Sequence, residues 1–117
     1  MKQISIAFDV DGTLISTEQD KDGMPIVNER IRNLLIALSS FKNVKIFVWS
    51  GSGAGYAQHI ARQINITKYV TAYADKNHQG VDINGKHIFL PDMKPDIAID
   101  DIQDCELGIF NLIVREK

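Results

Sequence analysis

The sequence predicts a single α/β domain built on an open, mainly parallel sheet with flanking helices. The chain has 117 residues, a length that suits one small domain. Short apolar runs alternate along it with segments of helical periodicity, as they do in consecutive βαβ units. Two of the apolar runs lead directly into acids, Asp9 and Asp100. Ligands of open α/β sheets bind just beyond the carboxyl ends of the strands, so this placement agrees with the predicted fold class.

The first half of the chain predicts two strands and two helices. Residues 4–8 and 44–49 are apolar runs, and the second is rich in the β-branched and aromatic types that favour strands. Asn28 is a good N-cap for a helix that runs to about residue 41, and a second helix is expected over about 56–65. The apolar residues spaced to form one buried face are Ile31, Leu34, Leu35 and Leu38 in the first helix, and Ala57, Ile60, Ala61 and Ile64 in the second.

The second half of the chain predicts three further strands. Residues 69–74 are apolar and aromatic, and residues 97–99 form an apolar run that leads into an acidic pair. Residues 112–114 provide the last apolar segment. No repeat, low-complexity segment or linker divides residues 1–117, so we expect one domain.

Two stretches interrupt the alternation of strands and helices. Residues 15–27 carry many charges and a turn signal at Asp22-Gly23, which predicts a flap or short hairpin. In residues 81–90, Asn84-Gly85 lies between alternating segments and is a strong signal for a β-hairpin. A regular βαβ unit would carry a helix at this point, so we expect the hairpin to be an insertion.

Composition and charge exclude several classes of protein. Hydrophobic residues make up 44% of the chain, which is enough for a packed core and too many for a disordered protein. The formal net charge of -2 argues against a general nucleic-acid binder. Cys105 is the only cysteine and cannot form an internal disulfide, so we expect a reducing compartment. Without a signal peptide or an apolar run of ~18 residues, a cytoplasmic protein with no membrane partner is expected.

Polar residues of a few types follow four of the predicted strands. Because the carboxyl ends of parallel strands meet at one edge of a sheet, residues far apart in the sequence should converge there. Two carboxylates at such an edge can have separate roles, since one can act as a nucleophile or bind metal while the other transfers protons. The residues are Asp9 and Asp11, Ser50 and Gly51, Lys76, and Asp100 with Asp101 and Asp104.

These motifs resemble those of the haloacid dehalogenase (HAD) superfamily of phosphohydrolases. Residues 9–13 match its Asp-x-Asp-Gly-Thr motif in full, and Ser50-Gly51 matches a second motif that follows an apolar strand. Lys76 corresponds to a lone lysine of the family, and Asp100-Asp101 corresponds to an acidic pair after another apolar strand. The resemblance covers nearly the whole chain and implies a Rossmann-like fold of the HAD type.

The resemblance implies a role for each motif residue. Asp9 would attack phosphorus and form an aspartyl-phosphate, while Asp11 would protonate the leaving oxygen and then deprotonate the hydrolytic water. A hard cation such as Mg²⁺ would offset the repulsion between a carboxylate and a phosphate. The expected Mg²⁺ ligands are the Asp9 side chain, the Asp11 backbone carbonyl and Asp100. The Ser50 hydroxyl and the Gly51 amide would hold phosphate oxygens.

The lysine and the outer acids leave alternatives open. Lys94 stands before a proline, as the family's lysine commonly does, but it precedes the fourth predicted strand. At ~3.3 Å per extended residue, this position lies about 20 Å from Asp100. Lys76 follows a strand and is therefore the preferred charge-stabilising residue. Asp101 and Asp104 are expected either to support the metal ligands from outside or to cap a turn.

Differences among members of the family bear on the substrate. An Asp at position 11 favours hydrolysis of a phosphomonoester, because the dehalogenases need neither that acid nor a metal. The gaps between the motifs hold no separate cap domain, so the chain resembles the capless members. Such an enzyme either has an open site for a large substrate or borrows a lid from a neighbouring subunit of a homo-oligomer.

The expected activity is that of a Mg²⁺-dependent phosphatase acting on a sugar phosphate or another small phosphorylated metabolite. A nucleotide, a nucleic-acid end and a phosphoprotein are the other candidate substrates. Two alternative functions stay open at this point. One is a phosphotransferase of the same family, and the other is a catalytically idle domain that binds a phosphorylated partner.

Overall fold

A seven-stranded sheet runs through the part of the chain that the computed structural model describes, which is residues 2–76, 79–84, 86–89, 94–101 and 107–115. The strands assigned there are, in chain order, β1 Ile4–Asp9, β2 Ile15–Gln19, β3 Pro25–Val27, β4 Val44–Ser50, β5 Ala72–Asp75, β6 Gln79–Asp82, β7 His87–Phe89, β8 Ile97–Asp100 and β9 Phe110–Ile113. The helices are α1 Glu29–Ser39 and α2 Ala54–Gln63, and a 3-10 turn covers Thr67–Tyr69.

The order of the strands in the main sheet is β7-β6-β5-β4-β1-β8-β9. Strands β5, β4, β1, β8 and β9 run parallel, while β6 and β7 join antiparallel at one edge. The prediction of an α/β fold with a mainly parallel sheet is therefore confirmed. The parallel strands bring the carboxyl ends of β1, β4, β5 and β8 to one edge, where open α/β sheets bind their ligands.

The two faces of the sheet carry buried clusters of different size. Successive side chains of a strand point to opposite faces. Helices α1 and α2 pack on the face of large apolar residues, which include Ile6, Phe8, Ile46, Val48, Tyr73 and Ile99. The other face carries a smaller buried cluster, made of Ala7, Trp49, Ala74 and Ala98. By the same alternation, Asp9 and Asp100 lie on the face of this smaller cluster.

Helix α1 begins at the predicted residue and ends earlier than predicted. The Asn28 side chain caps it by accepting a hydrogen bond of 3.4 Å from a backbone amide of the first turn. The helix ends at Ser39 rather than at residue 41, because the next two amides bond three residues back and tighten the last turn. Leu35 is buried as expected, whereas Leu34 is 38% exposed. Leu34 lies about 100° around the helix from Leu35, so the two cannot share the centre of one face.

Helix α2 confirms its predicted inward face but starts earlier than expected. It begins at Ala54, after Gly53, whose φ of 112° is rarely adopted by residues other than glycine. The buried residues are those that the spacing indicated, namely Ala57, Ile60, Ala61 and Ile64. Neither helix of the described chain has the length and apolar character that crossing a membrane requires.

Two predicted strands have different limits in the structure. Strand β5 begins at Ala72 instead of residue 69, because Thr67–Tyr69 fold into the 3-10 turn. Strand β9 begins at Phe110 instead of residue 112, because its pairing with β8 starts there, opposite Ile97. In both cases the strand limit is set by pairing with a neighbour or by a preceding turn, and not by apolar character alone.

The flap is an antiparallel hairpin of β2 and β3, separate from the main sheet. We use this name for residues 15–27. The Asp20 side chain closes the turn by accepting hydrogen bonds from the amides of Asp22 and Met24, at 2.8 and 2.9 Å. The predicted interruption at this point is therefore confirmed as a hairpin that follows β1 directly.

The second predicted hairpin, over 81–90, is formed by β6 and β7 and extends the main sheet through the pairing of β6 with β5. Asp82 closes its turn by accepting hydrogen bonds of 2.9 Å from two backbone amides. Residues 85 and 90 lie outside the described residues. The hairpin takes the place of the helix that a regular βαβ unit would carry.

Strand β6 approaches β5 closely at Gly80, where a Cβ would collide with backbone atoms of Tyr73 and Ala74. Gly80→Ala should therefore lower the free energy of unfolding by about 1–3 kcal/mol, as overpacking does. Gly55→Ala is the matched control, because Gly55 lies in α2 and a Cβ there meets open space. Alanine at that helical position should raise the free energy of unfolding by roughly 0.5–1 kcal/mol. Urea unfolding measures both variants, and effects of the same sign would contradict the close approach at Gly80.

Candidate active site

The ends of β1, β5 and β8 bring a lysine and two aspartates together. Asp9 ends β1, Asp100 ends β8, and Lys76 follows β5 directly. The Lys76 Nζ atom lies 3.1 Å from Asp9 Oδ1 and 2.9 Å from Asp100 Oδ2. Because β4 separates β5 from β1, and neighbouring strands lie about 4.8 Å apart, a long side chain is needed to span the gap. Three residues that the sequence analysis selected therefore meet at one point.

Asp101 completes an acidic cluster with Asp9 and Asp100. One carboxylate oxygen of each residue lies within 4.8 Å of the other two. Asp9 and Asp100 are buried, and Asp101 is half-buried. Gly12 makes room for them, because a Cβ there would collide with the Asp101 carboxylate and because its φ of 83° is rarely adopted by other residues. The φ of Gly12 therefore favours glycine at this position of the Asp-x-Asp-Gly-Thr motif, and a side chain there would also displace the Asp101 carboxylate.

The protein compensates the charge of the acidic cluster only in part. Burial, followed by the charge of Asp100, raises the pKa of Asp9 to about 7, although Lys76 opposes this shift. Burial and a hydrogen bond with Asp100 also raise the pKa of Asp101. Burial alone would lower the pKa of Lys76, but its hydrogen bond to Asp100 and the nearby charges raise it overall. The ammonium group therefore stays charged at neutral pH.

The donor atoms of the acidic cluster fit a hard divalent cation. If all three carboxylates were ionised, one ammonium would leave two of their negative charges without compensation, and a divalent cation would supply that charge. Carboxylate oxygens are the ligands that Mg²⁺ prefers. The side chains that could hold such an ion are those of Asp9, Asp100 and Asp101. Asp101 was expected to support the metal ligands from outside or to cap a turn, whereas the structure brings its carboxylate into the cluster.

The Asp11 side chain has a different partner. Its Oδ1 atom accepts a hydrogen bond of 2.7 Å from the hydroxyl of Tyr56, in the first turn of α2. Burial, followed by the bond to Asp11, raises the pKa of Tyr56 to about 12, so the phenol stays protonated and remains a donor. Tyr56 was not among the predicted site residues, because no local pattern reveals a contact between residues 45 positions apart. A residue of α2 therefore holds the side chain of Asp11, the acid to which the resemblance assigned proton transfer.

The predicted phosphate-binding residues lie between β4 and α2. Ser50 ends β4 and is buried, and its Oγ atom accepts a hydrogen bond of 3.0 Å from the Ser52 amide. The hydroxyl oxygen of Ser50 is the acceptor in this bond, so the bond does not use the hydroxyl proton. Gly51 is exposed, and Gly53 occupies the N-cap of α2 without a side chain to cap it. The first turn of α2 therefore presents backbone amides that can bind an anion.

The remaining residues from the sequence analysis have separate positions. Thr13, the last residue of the first motif, is buried, and its hydroxyl donates a hydrogen bond of 3.4 Å to Asp9 Oδ2. Lys94 is exposed and precedes β8, so it lies at the opposite end of that strand from Asp100. Asp104 lies outside the described residues.

Comparison with family models, with curated proteins and with solved structures found no match to the chain. The residues of the site are therefore the basis on which a function can be inferred. At one edge of the sheet they combine a buried acidic cluster, a charged lysine and the amides of a helix start. Such a set can bind a cation and an anion side by side, next to a carboxylate that can act as a nucleophile.

The raised pKa of Asp9 predicts a loss of stability with rising pH when no divalent cation is present. The carboxyl group has a reference pKa of 3.8 and titrates at about 7 in the folded protein. Between these values the unfolded state binds fewer protons than the folded state, so the free energy of unfolding falls as pH rises. Asp9→Asn removes this titration. Its stability relative to wild type should therefore increase by roughly 1–3 kcal/mol between pH 5 and pH 8.

Urea unfolding in EDTA at the two pH values measures this difference. The matched control for the loss of one charge is Asp22→Asn, which removes an exposed carboxylate from the flap. If the stability of Asp9→Asn relative to wild type did not change with pH, the raised pKa of Asp9 would be contradicted.

Proposed function

We propose that the protein is a Mg²⁺-dependent phosphatase of the HAD type, a capless Rossmann-like domain that hydrolyses phosphomonoesters through an aspartyl-phosphate on Asp9. The observation that carries this proposal is the acidic cluster with Lys76 at the ends of β1, β5 and β8. A domain that only bound phosphate would gain nothing from three carboxylates beside the ligand, because like charges repel. A phosphatase needs them as nucleophile and as cation ligands, so the cluster favours the enzyme over the idle domain.

In the first step, an Asp9 oxygen attacks phosphorus while the bond between phosphorus and the leaving oxygen breaks. The electron pair of that bond goes to the leaving oxygen, which takes the proton of Asp11. The products are an acyl phosphate on Asp9, a free alcohol and ionised Asp11. The 2.7 Å hydrogen bond from Tyr56 positions Asp11 for this transfer before the substrate arrives.

In the second step, water attacks the phosphorus atom of the acyl phosphate and gives a proton to Asp11. The bond between phosphorus and the Asp9 oxygen breaks, and its electron pair returns to the carboxylate. Inorganic phosphate leaves, and both aspartates regain their starting protonation states. One water molecule is consumed for each ester cleaved, so the cycle balances.

Both steps require that the negative charge around phosphorus be offset. Bound Mg²⁺ would supply this by neutralising phosphate oxygens and by orienting them for attack. Lys76 stays charged and lies between Asp9 and Asp100, where its ammonium can face the group in transfer. The Ser50 hydroxyl proton and the amides of Gly51 and α2 are the donors for the phosphate oxygens.

We assign the substrates to small phosphomonoesters, with sugar phosphates and related metabolites as the preferred class. The formal net charge of -2 disfavours a nucleic acid, whose backbone requires basic partners.

Hydrolysis of p-nitrophenyl phosphate with and without Mg²⁺ tests the proposal. Wild type should release phosphate only when the cation is present, and Asp9→Asn should lower kcat at least about a thousandfold, as loss of a nucleophile does. Mg²⁺ should also raise the Tm of wild type more than that of Asp100→Asn, because that variant lacks a cation ligand. Turnover by Asp9→Asn at the wild-type rate would exclude the covalent route. No turnover by wild type above that variant would favour the idle binding domain.

The two lysines provide a second test, since methionine keeps the length of the side chain and removes its charge. Lys76→Met should lower kcat about a hundredfold or more, because a group that stabilises the transition state is lost. Lys94→Met should keep a kcat near that of wild type, because Lys94 is exposed at the other end of β8. Circular dichroism of both variants checks that they fold. A near-normal rate in Lys76→Met would contradict the role assigned to this lysine.

A further inference from the structure

A cleft of about 410 Å³ lies between the flap and helix α2. Its volume falls within the range of about 300–1,000 Å³ that small-molecule sites occupy. One wall is β2, and the other is the side of α2 that carries Tyr56, His59 and Gln63, which the helical period places on one face. Asp11 and Tyr56 are half-buried, while Glu18, His59 and Gln63 are exposed. The cleft therefore leads from solvent down to the hydrogen-bonded pair of Asp11 and Tyr56.

The position of Asp11 relates this cleft to the proposed reaction. Asp11 protonates the leaving oxygen in that reaction, so the leaving group must lie against it. The phosphoryl group belongs at the acidic cluster, and the rest of the substrate extends past Asp11 into the cleft. A second cleft of about 510 Å³ is lined by Ser16, Arg30 and Arg115, among others. The first cleft is related to the site through Asp11, since none of its described lining residues belongs to the acidic cluster. The described lining of the second cleft does not include Asp11, so it has no such relation.

The side chains that line the cleft indicate what kind of leaving group it accepts. Several of them can both donate and accept hydrogen bonds, as in Gln19, His59 and Gln63. The acids there are Asp11 and Glu18, and none of the described lining residues is Lys or Arg. A carboxylate or second phosphate on the leaving group would therefore meet like charge without a compensating cation.

We infer, on the basis of the proposed function, that this cleft binds the leaving group and selects uncharged polyhydroxylated alcohols over anionic ones. Glu18 sets the charge preference, and His59 and Gln63 bind hydroxyl groups. All three residues are exposed at the mouth of the cleft, away from the buried acidic cluster. They therefore determine specificity and do not take part in the chemical step.

Glycerol 3-phosphate and 3-phosphoglycerate test the charge preference as a matched pair, because they differ only by a hydroxymethyl group in place of a carboxylate. With saturating Mg²⁺, kcat/KM for glycerol 3-phosphate should exceed that for 3-phosphoglycerate about tenfold or more. Glu18→Gln should lower this ratio at least about threefold, and Glu18→Lys should lower it further by offering the carboxylate a partner. Asp22→Asn removes the same charge from the flap outside the cleft and should keep the wild-type ratio.

Two substitutions in α2 test whether His59 and Gln63 bind hydroxyl groups of the substrate. His59→Ala and Gln63→Ala should each raise the KM for glycerol 3-phosphate about threefold to tenfold, the effect of losing one hydrogen bond, while kcat changes less. Gln58→Ala lies on the same helix, outside the described lining of the cleft, and should keep the wild-type KM. The Tm of each variant confirms that it folds.

The outcomes separate the inference from the function on which it rests. The inference would be overturned by a wild-type ratio of the two kcat/KM values near one, or by a ratio that both Glu18 variants leave unchanged. If hydrolysis still depended on Asp9 in that case, the phosphatase proposal would stay intact. Unchanged KM values in His59→Ala and Gln63→Ala would overturn the hydroxyl-binding role. If wild type cleaved no phosphomonoester above the Asp9→Asn background, both proposals would fall together.

Discussion

The ion pairs of Lys76 with Asp9 and Asp100 are the interaction on which the rest of the site depends. They connect the ends of three strands at distances of 3.1 and 2.9 Å. Carboxylates buried this deeply need a compensating charge, because removing an ion from water costs several kcal/mol. Lys76 supplies one such charge, and a pKa of about 7 for Asp9 indicates that one is not sufficient. The charge left over is what would attract the proposed Mg²⁺ ion.

The geometry of the sheet determines where these groups can meet. β1 lies between β4 and β8, and all three run parallel. Side-chain alternation puts Asp9 and Asp100 on the face of the smaller buried cluster. Trp49, in register with Asp9, and the alanines around it make that face apolar. This apolar surface explains why burial is the largest cause of the raised pKa of Asp9. Both helices pack against the opposite face and form the main core there. The main core can therefore stabilise the fold while the face of Asp9 and Asp100 carries the charged groups.

Features with a local cause could be predicted from the sequence, and features set by neighbours in space could not. The cap at Asn28 acts over a few residues, so the start of α1 was predictable. Lys76 was predictable as a site residue because parallel strands gather the residues that follow them. The exposure of Leu34 depends on which side of α1 meets the sheet, and its apolar character does not reveal that. The hydrogen bond from Tyr56 to Asp11 and the position of the Asp101 carboxylate in the cluster both depend on the direction of a side chain. The sequence has no local signal for that direction.

Lys76 and a divalent cation can share the acidic cluster, because the two have different bonding requirements. An ammonium has three donors and one charge, so it cannot neutralise three carboxylates. It does hold Asp9 and Asp100 at fixed positions, and Thr13 adds a hydrogen bond to the second oxygen of Asp9. The carboxylates of the proposed cation site are therefore already together without an ion, unlike sites that form only when metal drives folding. Cation affinity at such a site depends on charge and oxygen geometry, and little free energy of binding is lost to ordering the chain.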